Sequence, residues 1–431
     1  MSRTAIAGSA AALLVILVVL LAGYRLMKHA LEPETAAWPA VTAETPRPVH
    51  PGHLYGVVTT IEGSDHQGYL RFGGAQEAFW SDAFNGFKPH NPWAEHLPEQ
   101  AGAPKPSDLE RPFMTRFGNL QRIDVEGRDV RVTLKSGTTV RLDRHEAGDI
   151  DDGVRVWVDD TRVVDVEARA IRRIEFRPAP GAAAPLSRLH GVVRTASGSF
   201  SGFLQWNRLK RLSSDTLIGR NDDGPQALPF ADIAVIERDA DSGCRVRLRS
   251  GEEVMLRGEP DVNRRNRGLV VDDSRYGRVL IPWDRVEHVT LTAAVDSPSY
   301  PDFEPGRAIH GSVETRQGDV SGGRLVFDLD ESETTDTLDA PADGVTYTIP
   351  FSRIRSVARD PSSDTPFVVQ LDSGPLRLEA RGDLAEGNGG MLVFPESGGP
   401  AAYVPWQEVL RIDLAAASSG PAPGSDGENV D

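Results

Sequence analysis

The stretch VRVTLKSGTTVRL, residues 130–142, places an apolar residue at nearly every second position on both sides of a Ser-Gly step. Two later stretches repeat this pattern, RVRLRSGEEVML at 245–256 and VVQLDSGPLRL at 368–378. Alternation with a period of two is typical of a strand with one buried and one solvated face. Glycine supplies the positive φ that a tight turn needs. The three stretches therefore predict β-hairpins.

These hairpins belong to a longer repeat. Its lead motif is GVVTTIEG at 56–63, GVVRTASG at 191–198 and GSVETRQG at 311–318, with Val, Thr and Gly two, four and seven residues after the first Gly. Each copy continues with a leucine two residues before an aromatic residue and then an aspartate. The aspartates are Asp82, Asp215 and Asp336. Self-similarity at this spacing predicts tandem units.

Three β repeats are expected, over residues 53–177, 186–292 and 308–414. The first copy is longer by roughly 20 residues, a difference that the Pro-rich insertion at 88–112 explains. Insertions in repeats map to surface loops, and these often lie on a binding face. No stretch within the repeats shows apolar residues at helical spacing over three turns, so the predicted fold class is all-β.

Each repeat also resembles itself at half its length. PFADIAVI at 229–236 closes the first half of copy two, and PWDRVEHV at 282–289 closes the second half. The period of three in these segments, with Pro ahead of it, predicts a short turn that leads into a closing strand. Six modules of about 60 residues, paired into three units, follow from this similarity.

The pattern V-x-T-x-x-G-x-x-x-G-x-L at 193–204, with its later I-x-x-I strand, resembles the five-stranded barrels of the Sm-like and SH3-like classes. The resemblance implies two small barrel modules in each repeat. The I-R-G type segment of the Sm family is not evident, so RNA binding is not carried over to this chain.

The N-terminus is expected to be a membrane anchor. Residues 4–24 form a run of 21 residues without a charge, which as a helix would span about 31 Å, the thickness of a bilayer core. A cleaved signal peptide is the alternative, but Arg25 and Lys28 follow closely and no small-x-small cleavage site ends the run. We therefore expect a transmembrane anchor at 1–30.

A Pro- and Ala-rich stalk is expected at 31–52 and a disordered acidic tail at 415–431. The expected location is the bacterial inner membrane, crossed once, with a periplasmic body. The basic residues on the two sides of the hydrophobic run are nearly balanced, so the positive-inside rule barely decides this orientation.

Composition limits the possible partners. The net charge is -16, from 63 acidic and 47 basic residues, which argues against broad nucleic-acid or anionic-lipid binding by the whole surface but leaves room for a local basic patch. The single cysteine, Cys244, excludes an intramolecular disulfide and a cysteine-based zinc cluster.

Several side chains are candidates for functional residues. His90 and His96 in the insertion could ligate zinc, or the insertion could be a loop that merely contains histidines. The three repeated aspartates could act on glycans, but an aspartate in every repeat fits a turn cap better. The acidic loops at 148–153 and 221–224 lack EF-hand spacing and are interpreted as turns. A possible binding surface remains, comprising Trp80, His90, Trp93, His96, Arg264, Arg265 and Arg267.

The sequence thus predicts a membrane-anchored, non-enzymatic binding or scaffold protein of the bacterial envelope. No catalytic residue, cofactor or metal ligand is expected, and the expected partner is a protein or a polysaccharide. The alternative is an envelope hydrolase that acts on glycan or peptidoglycan.

Overall fold

Strands joined by tight turns build the described part of the chain. The computed structural model describes residues 50–73, 76–98, 111–144, 147–180, 188–239, 242–292, 298–360, 362 and 366–415. The expected anchor at 4–24, most of the stalk and nearly all of the tail lie outside these residues. Within the described ranges, no helix is both long and apolar enough to cross a bilayer.

Ten strands come from each repeat, which we call units 1, 2 and 3. Unit 1 contains β1 Tyr55–Thr60, β2 Asp65–Phe72, β3 Ala83–Lys88, β4 Arg111–Arg116, β5 Leu120–Glu126, β6 Asp129–Leu134, β7 Thr139–Asp143, β8 Val154–Trp157, β9 Val163–Val166 and β10 Ile171–Phe176. Unit 2 contains β11 His190–Thr195, β12 Gly198–Gln205, β13 Thr216–Asn221, β14 Gly224–Pro229, β15 Ile233–Asp239, β16 Gly243–Leu248, β17 Glu253–Arg257, β18 Leu269–Asp273, β19 Gly277–Ile281 and β20 His288–Thr292.

Unit 3 contains β21 His310–Thr315, β22 Val320–Phe327, β23 Thr337–Ala342, β24 Val345–Pro350, β25 Ile354–Arg359, β26 Phe367–Leu371, β27 Gly374–Leu378, β28 Met391–Pro395, β29 Ala402–Val404 and β30 Val409–Leu414. The helical turns are Pro92–His96, Phe117–Asn119, Gly148–Asp151, Ala168–Ala170, Phe230–Asp232, Trp283–Arg285, Tyr300–Asp302, Phe351–Arg353, Gly382–Leu384 and Trp406–Glu408. The all-β prediction is confirmed, as is the hairpin at each Ser-Gly turn.

The same strand order recurs in all three units. Unit 1 has the order β7-β6-β5-β10-β1-β2-β8-β9, and the corresponding strands of units 2 and 3 follow it. In unit 2, the β13–β14 hairpin adds to the edge at β17. All ten strands of this unit then read β14-β13-β17-β16-β15 followed by β20-β11-β12-β18-β19.

This order divides unit 2 into two groups of five strands, and each group contains strands from both halves of the sequence of the unit. The first group takes β13, β14 and β15 from the first half but β16 and β17 from the second. The second group takes β11 and β12 from the first half and β18, β19 and β20 from the second. The two groups meet where β15 pairs with β20. Neither sequence half therefore holds a complete group of strands.

The closing segments behave as their period of three predicts. Phe230–Asp232 and Trp283–Arg285 are single 3₁₀ turns that lead into β15 and β20. Their aromatic side chains turn inward and pack on Trp206, with ring centroids 5.7 Å apart in both pairs. In unit 3, Phe327 contacts Phe351 and Trp406 in the same way. These aromatic side chains therefore lie in the hydrophobic core that units 2 and 3 share.

The lead glycine of each repeat is required by a close approach of two strands. A Cβ atom on Gly191 would lie 2.3 Å from the carbonyl oxygen of Thr290 in β20. Gly56 and Gly311 are equally close to the neighbouring backbone. Gly251 differs, because it has open space around it but a φ of +92° in the β16–β17 turn. The repeated glycines thus serve two distinct purposes, strand approach and turn geometry.

Units 2 and 3 share a sheet. β24 of unit 3 pairs with β19 of unit 2, with Leu280 opposite Thr346 and Arg278 opposite Thr348. Together with β23, this addition extends the sheet of unit 2 to twelve strands. The sequence did not predict this connection between repeats.

Units 1 and 2 meet through buried charges. Arg211 of unit 2 pairs with Asp82, and Arg116 of unit 1 lies 3.1 Å from Asp272. Burial alone would raise the pKa of Asp272, but Arg116, Arg278 and Arg188 hold it below its usual value. An ionised Asp272 thus joins the two units in the folded protein.

Candidate functional site

Trp80, a candidate for the possible binding surface, is buried between units 1 and 2. Its side chain is 1% exposed. The guanidinium of Arg188 lies 4.8 Å from its ring centroid, and the ring of His53 lies 5.8 Å away. Trp80 therefore does not lie on an exposed binding surface. It fills the contact between two repeats, which no pattern within one repeat can reveal.

His90, Trp93 and His96 lie on an arm, residues 88–98, that extends from unit 1 to unit 3. The rings of Trp93 and His96 pack on Phe394 at centroid distances of 5.8 and 4.9 Å. Trp93 also joins an apolar cluster with Leu329 and Leu392 of unit 3. The arm therefore covers another part of the same chain.

Polar contacts hold the start of this arm and the point where the described chain resumes after it. Lys88 forms an ion pair with Asp330, and Asn91 Nδ2 donates to the carbonyl oxygen of Leu329 at 2.7 Å. Arg111, where the described chain resumes, lies 3.7 Å from Asp328. In the described ranges, no group of His, Cys, Asp and Glu side chains is arranged to hold a metal ion.

The three repeated aspartates cap turns. One carboxylate oxygen of Asp82 accepts the backbone N–H groups of Glu77 and Ala78 at 2.8 and 2.9 Å. Asp215 and Asp336 accept two backbone N–H groups in the same manner, at 2.7 to 2.8 Å. The turn-cap interpretation is confirmed, and the carboxylates of these aspartates are engaged in positioning backbone.

The remaining predicted residues, Arg264, Arg265 and Arg267, are exposed on the loop between β17 and β18. Three further exposed arginines lie around this loop, namely Arg208, Arg220 and Arg257. Across the residues that the structure describes, none of the six has a carboxylate oxygen within ion-pair distance. We call these six residues the arginine surface.

Contacts within unit 2 bring these side chains together. Arg220 and Arg257 are cross-strand partners in β13 and β17. A shallow depression is lined by Arg264, Arg265, Gly258, Asn263 and Ser242.

At the other side of the loop, the backbone N–H of Arg267 donates to Asn207 Oδ1 at 2.8 Å, next to Arg208. Burial, together with the nearby charges of Arg267 and Arg278, lowers the pKa of Arg208. The guanidinium groups of Arg208 and Arg267 are thus close enough to act on one another.

A buried polar network holds the loop from beneath. The backbone oxygen of Asp261 accepts from Trp206 Nε1 at 2.9 Å and from Asn266 Nδ2 at 2.7 Å. The carboxylate of Asp261 pairs with Lys210 and accepts the N–H of Ile218 at 2.9 Å. Because these groups are satisfied beneath the loop, the arginines project from a fixed backbone.

Each of the other units also has an aspartate at the position of Asp261, but the residue at the position of Lys210 differs in charge. Asp149 of unit 1 accepts from Gln76 Nε2 at 3.0 Å. Unit 3 has Asp383 in place of Asp261, and Glu331 where unit 2 has Lys210. Burial and nearby carboxylates raise the pKa of Asp383 to about 7 and raise that of Glu331 well above its ordinary value. Unit 3 therefore holds an acidic cluster where unit 2 holds an ion pair.

Sequence reasoning missed half of the arginine surface. Arg208, Arg220 and Arg257 come from a turn and two strand ends that are distant along the chain from the basic segment at 264–267. A signal for Arg208 was available, because it lies two residues after the repeated aromatic residue Trp206, in the turn that faces the β17–β18 loop. No family model, curated protein or solved structure matches the chain.

Proposed function

We propose that this chain is a membrane-anchored, non-enzymatic binding or scaffold protein of the bacterial envelope. The uncharged run at 4–24 supports the anchor, as a single transmembrane helix. The proposal also puts the body outside the cytoplasm. Each unit is proposed to consist of two modules of the Sm-like or SH3-like type. The two groups of five strands in unit 2 support this, with each group drawing strands from both sequence halves.

The arginine surface is the observation that carries the binding role. Six guanidinium groups lie together on this surface without a carboxylate partner among the described residues, on a protein with a net charge of -16. Guanidinium groups bind carboxylate and phosphate oxygens in a bidentate manner. The partner is therefore proposed to be anionic, either a protein, a polysaccharide or another charged component of the envelope.

The turn-capping aspartates favour this proposal over a hydrolase. A glycan hydrolase needs a general acid and a second carboxylate on either side of the scissile bond. Asp82 and Asp215, the candidates for that task, each hold two backbone N–H groups and lie beside Arg211.

Membrane extraction and site-specific photo-cross-linking test the proposal. The full chain should stay in the membrane pellet after alkaline carbonate extraction. A photoreactive residue at Leu209, beside the arginine surface, should capture an envelope component. The matched position is Ile61, an exposed aliphatic residue of unit 1. Release by carbonate would exclude the anchor, and equal capture at both positions would exclude a special role of the arginine surface.

A further inference from the structure

Two exposed aliphatic side chains accompany the arginine surface. Leu209 is 46% exposed and directly follows Arg208 in the turn between β12 and β13. Ile218 is 42% exposed and lies on the same face of β13 as Arg220, because side chains two residues apart in a strand point the same way. The surface is thus basic and locally apolar.

The arginines do not line a deep cleft. They occupy a turn, two strand ends and one loop, and the depression between them is shallow. Negative charges are also near, since Asp222 and Asp223 form the tip of the β13–β14 hairpin. Such an arrangement suits a broad layer of separate anions more than one shaped ligand. Exposed aromatic side chains, on which sugar rings stack, are absent from the described part of this surface.

Basic side chains beside protruding aliphatic ones are typical of proteins that lie on a lipid surface. Arginine attracts anionic headgroups at about 1 kcal/mol per residue near the surface, and aliphatic side chains enter the region between headgroups and acyl chains. The 25 residues between Tyr24 and His50 reach up to about 85 Å when extended. A body tethered in this way can lie against its own membrane.

We propose that the arginine surface of unit 2, together with Leu209 and Ile218, docks on the anionic lipid headgroups of the membrane that anchors the chain. This inference rests on the proposed anchor and names the anionic partner of the same site. Docking through unit 2 fixes the body on the bilayer and leaves the other units to face a further partner.

Hydrogen exchange of the full chain in liposomes tests this docking. One preparation contains phosphatidylcholine alone, and the other contains phosphatidylcholine mixed with phosphatidylglycerol. We expect slower exchange in the 258–268 peptide only with phosphatidylglycerol, and loss of this protection at high salt because the attraction is screened.

Two variants of equal charge make the test specific. The variant with Arg264→Gln, Arg265→Gln and Arg267→Gln should lose the protection. The control, Arg128→Gln, Arg169→Gln and Arg172→Gln, removes three exposed arginines from unit 1 and should keep it. Thermal unfolding of both variants confirms that they are folded.

Four results would separate the inference from the proposed function. Equal exchange in both lipid compositions would overturn the docking. Protection by added polyglutamate but not by phosphatidylglycerol would also overturn it and assign the surface to an acidic polypeptide. Flotation with phosphatidylglycerol liposomes alone would refute the anchor while supporting the docking. Flotation with neither liposome would refute both.

Discussion

The residue four positions after the repeated aromatic residue (Phe72, Trp206 or Phe327) decides whether the aspartate beneath the adjoining loop has a neutral, a basic or an acidic neighbour. It is Gln76 in unit 1, Lys210 in unit 2 and Glu331 in unit 3. The first two bind a buried aspartate through a hydrogen bond or an ion pair. Glu331 instead has a buried oxygen without a hydrogen-bond partner. One position thus sets three different electrostatic environments on the same backbone.

Replacing Glu331 with Lys should stabilise unit 3. In the native protein, the raised pKa values of Glu331 and Asp383 mean that these groups bind protons more readily in the folded state than in the unfolded state. Their contribution to the free energy of unfolding is therefore highest at low pH and falls as the pH rises through about 7. A lysine would pair with Asp383 as Lys210 pairs with Asp261. We expect a gain on the order of 2 kcal/mol at about pH 8 and a smaller gain at about pH 5.

Thermal unfolding at the two pH values measures this effect. The groups that face Glu331 and Asp383 include the carboxylates of Asp328, Asp330 and Asp339. They are present in the variant as well, together with Lys88 and Arg111 of unit 1 at the edge of the cluster. Glu331→Gln, which copies Gln76, is the control and should give an intermediate gain. Lower stability of Glu331→Lys at both pH values would contradict the electrostatic account.

At the scale of elements, a proline decides which hairpins can add to a neighbouring sheet. The second residue of strand four is Pro112 in unit 1, Pro225 in unit 2 and Thr346 in unit 3. In each hairpin, alternation of the ladder points the backbone nitrogen of this residue away from its partner strand. Only threonine has an N–H to donate there. The hairpin of unit 3 therefore joins β19. In units 1 and 2, the proline keeps the outer edge of the hairpin from pairing with another strand.

Thr346→Pro should release β24 from β19. The substitution removes an N–H from the edge that faces β19, and the acceptor left without a partner should cost about 1–3 kcal/mol. Hydrogen exchange in the 277–281 peptide should speed up, while the cores of units 2 and 3 stay protected. The control is Ala227→Pro, at the position of β14 that corresponds to Thr348 but has no strand partner on its outer side. Unchanged exchange in Thr346→Pro would show that side chains alone hold the two units together.

The sequence predicts strands and turns better than it predicts which strands pair. Alternation in 130–142 reveals which face of a strand is buried, and this does not name the neighbouring strand. The interleaved order depends on partners such as β1 and β10, which are far apart along the chain. That the N–H of Thr346 faces β19 can be inferred only once the register of its hairpin is known.

The candidate site shows the same limit. Arg264, Arg265 and Arg267 are adjacent in sequence and were identified, whereas Arg208 and Arg220 join them only through folding. The burial of Trp80 could not be predicted because its neighbour Arg188 belongs to another repeat. Contacts between repeats leave no periodic signal within any one of them.

At the scale of the whole molecule, the arm from unit 1 and the shared sheet bring three repeats into one body. Unit 1 also reaches unit 3 through Ser136, whose hydroxyl donates to Glu333 at 2.8 Å. Tyr300, between units 2 and 3, donates its hydroxyl to the carbonyl oxygen of Leu120 in unit 1 at 2.6 Å. Each unit thus contacts both of the others.

Trp93→Ala should loosen the contact between units 1 and 3 without unfolding either unit. The indole of Trp93 is half-buried against Phe394 and under Arg324, so its loss should cost about 2 kcal/mol, less than a fully buried tryptophan. Faster hydrogen exchange in the 391–395 peptide is the expected observation. His90→Ala, at an exposed position of the same arm, should leave that exchange unchanged. Equal exchange of the 391–395 peptide in both variants would show that the contact of Trp93 does not stabilise this part of unit 3.

The interleaving of the two halves of each unit bears on how the chain is made. A ribosome releases β1 and β2 long before β8 and β10, to which they bond. Until then, the first strands of a nascent unit have unpaired edges that other chains can bind. Folding must wait for the last strand of each repeat, so synthesis that stops inside a repeat should leave an aggregation-prone product. A stop between repeats would leave each released unit with all of its own strands, although the edge of β19 would still lack its partner β24 if unit 3 were missing.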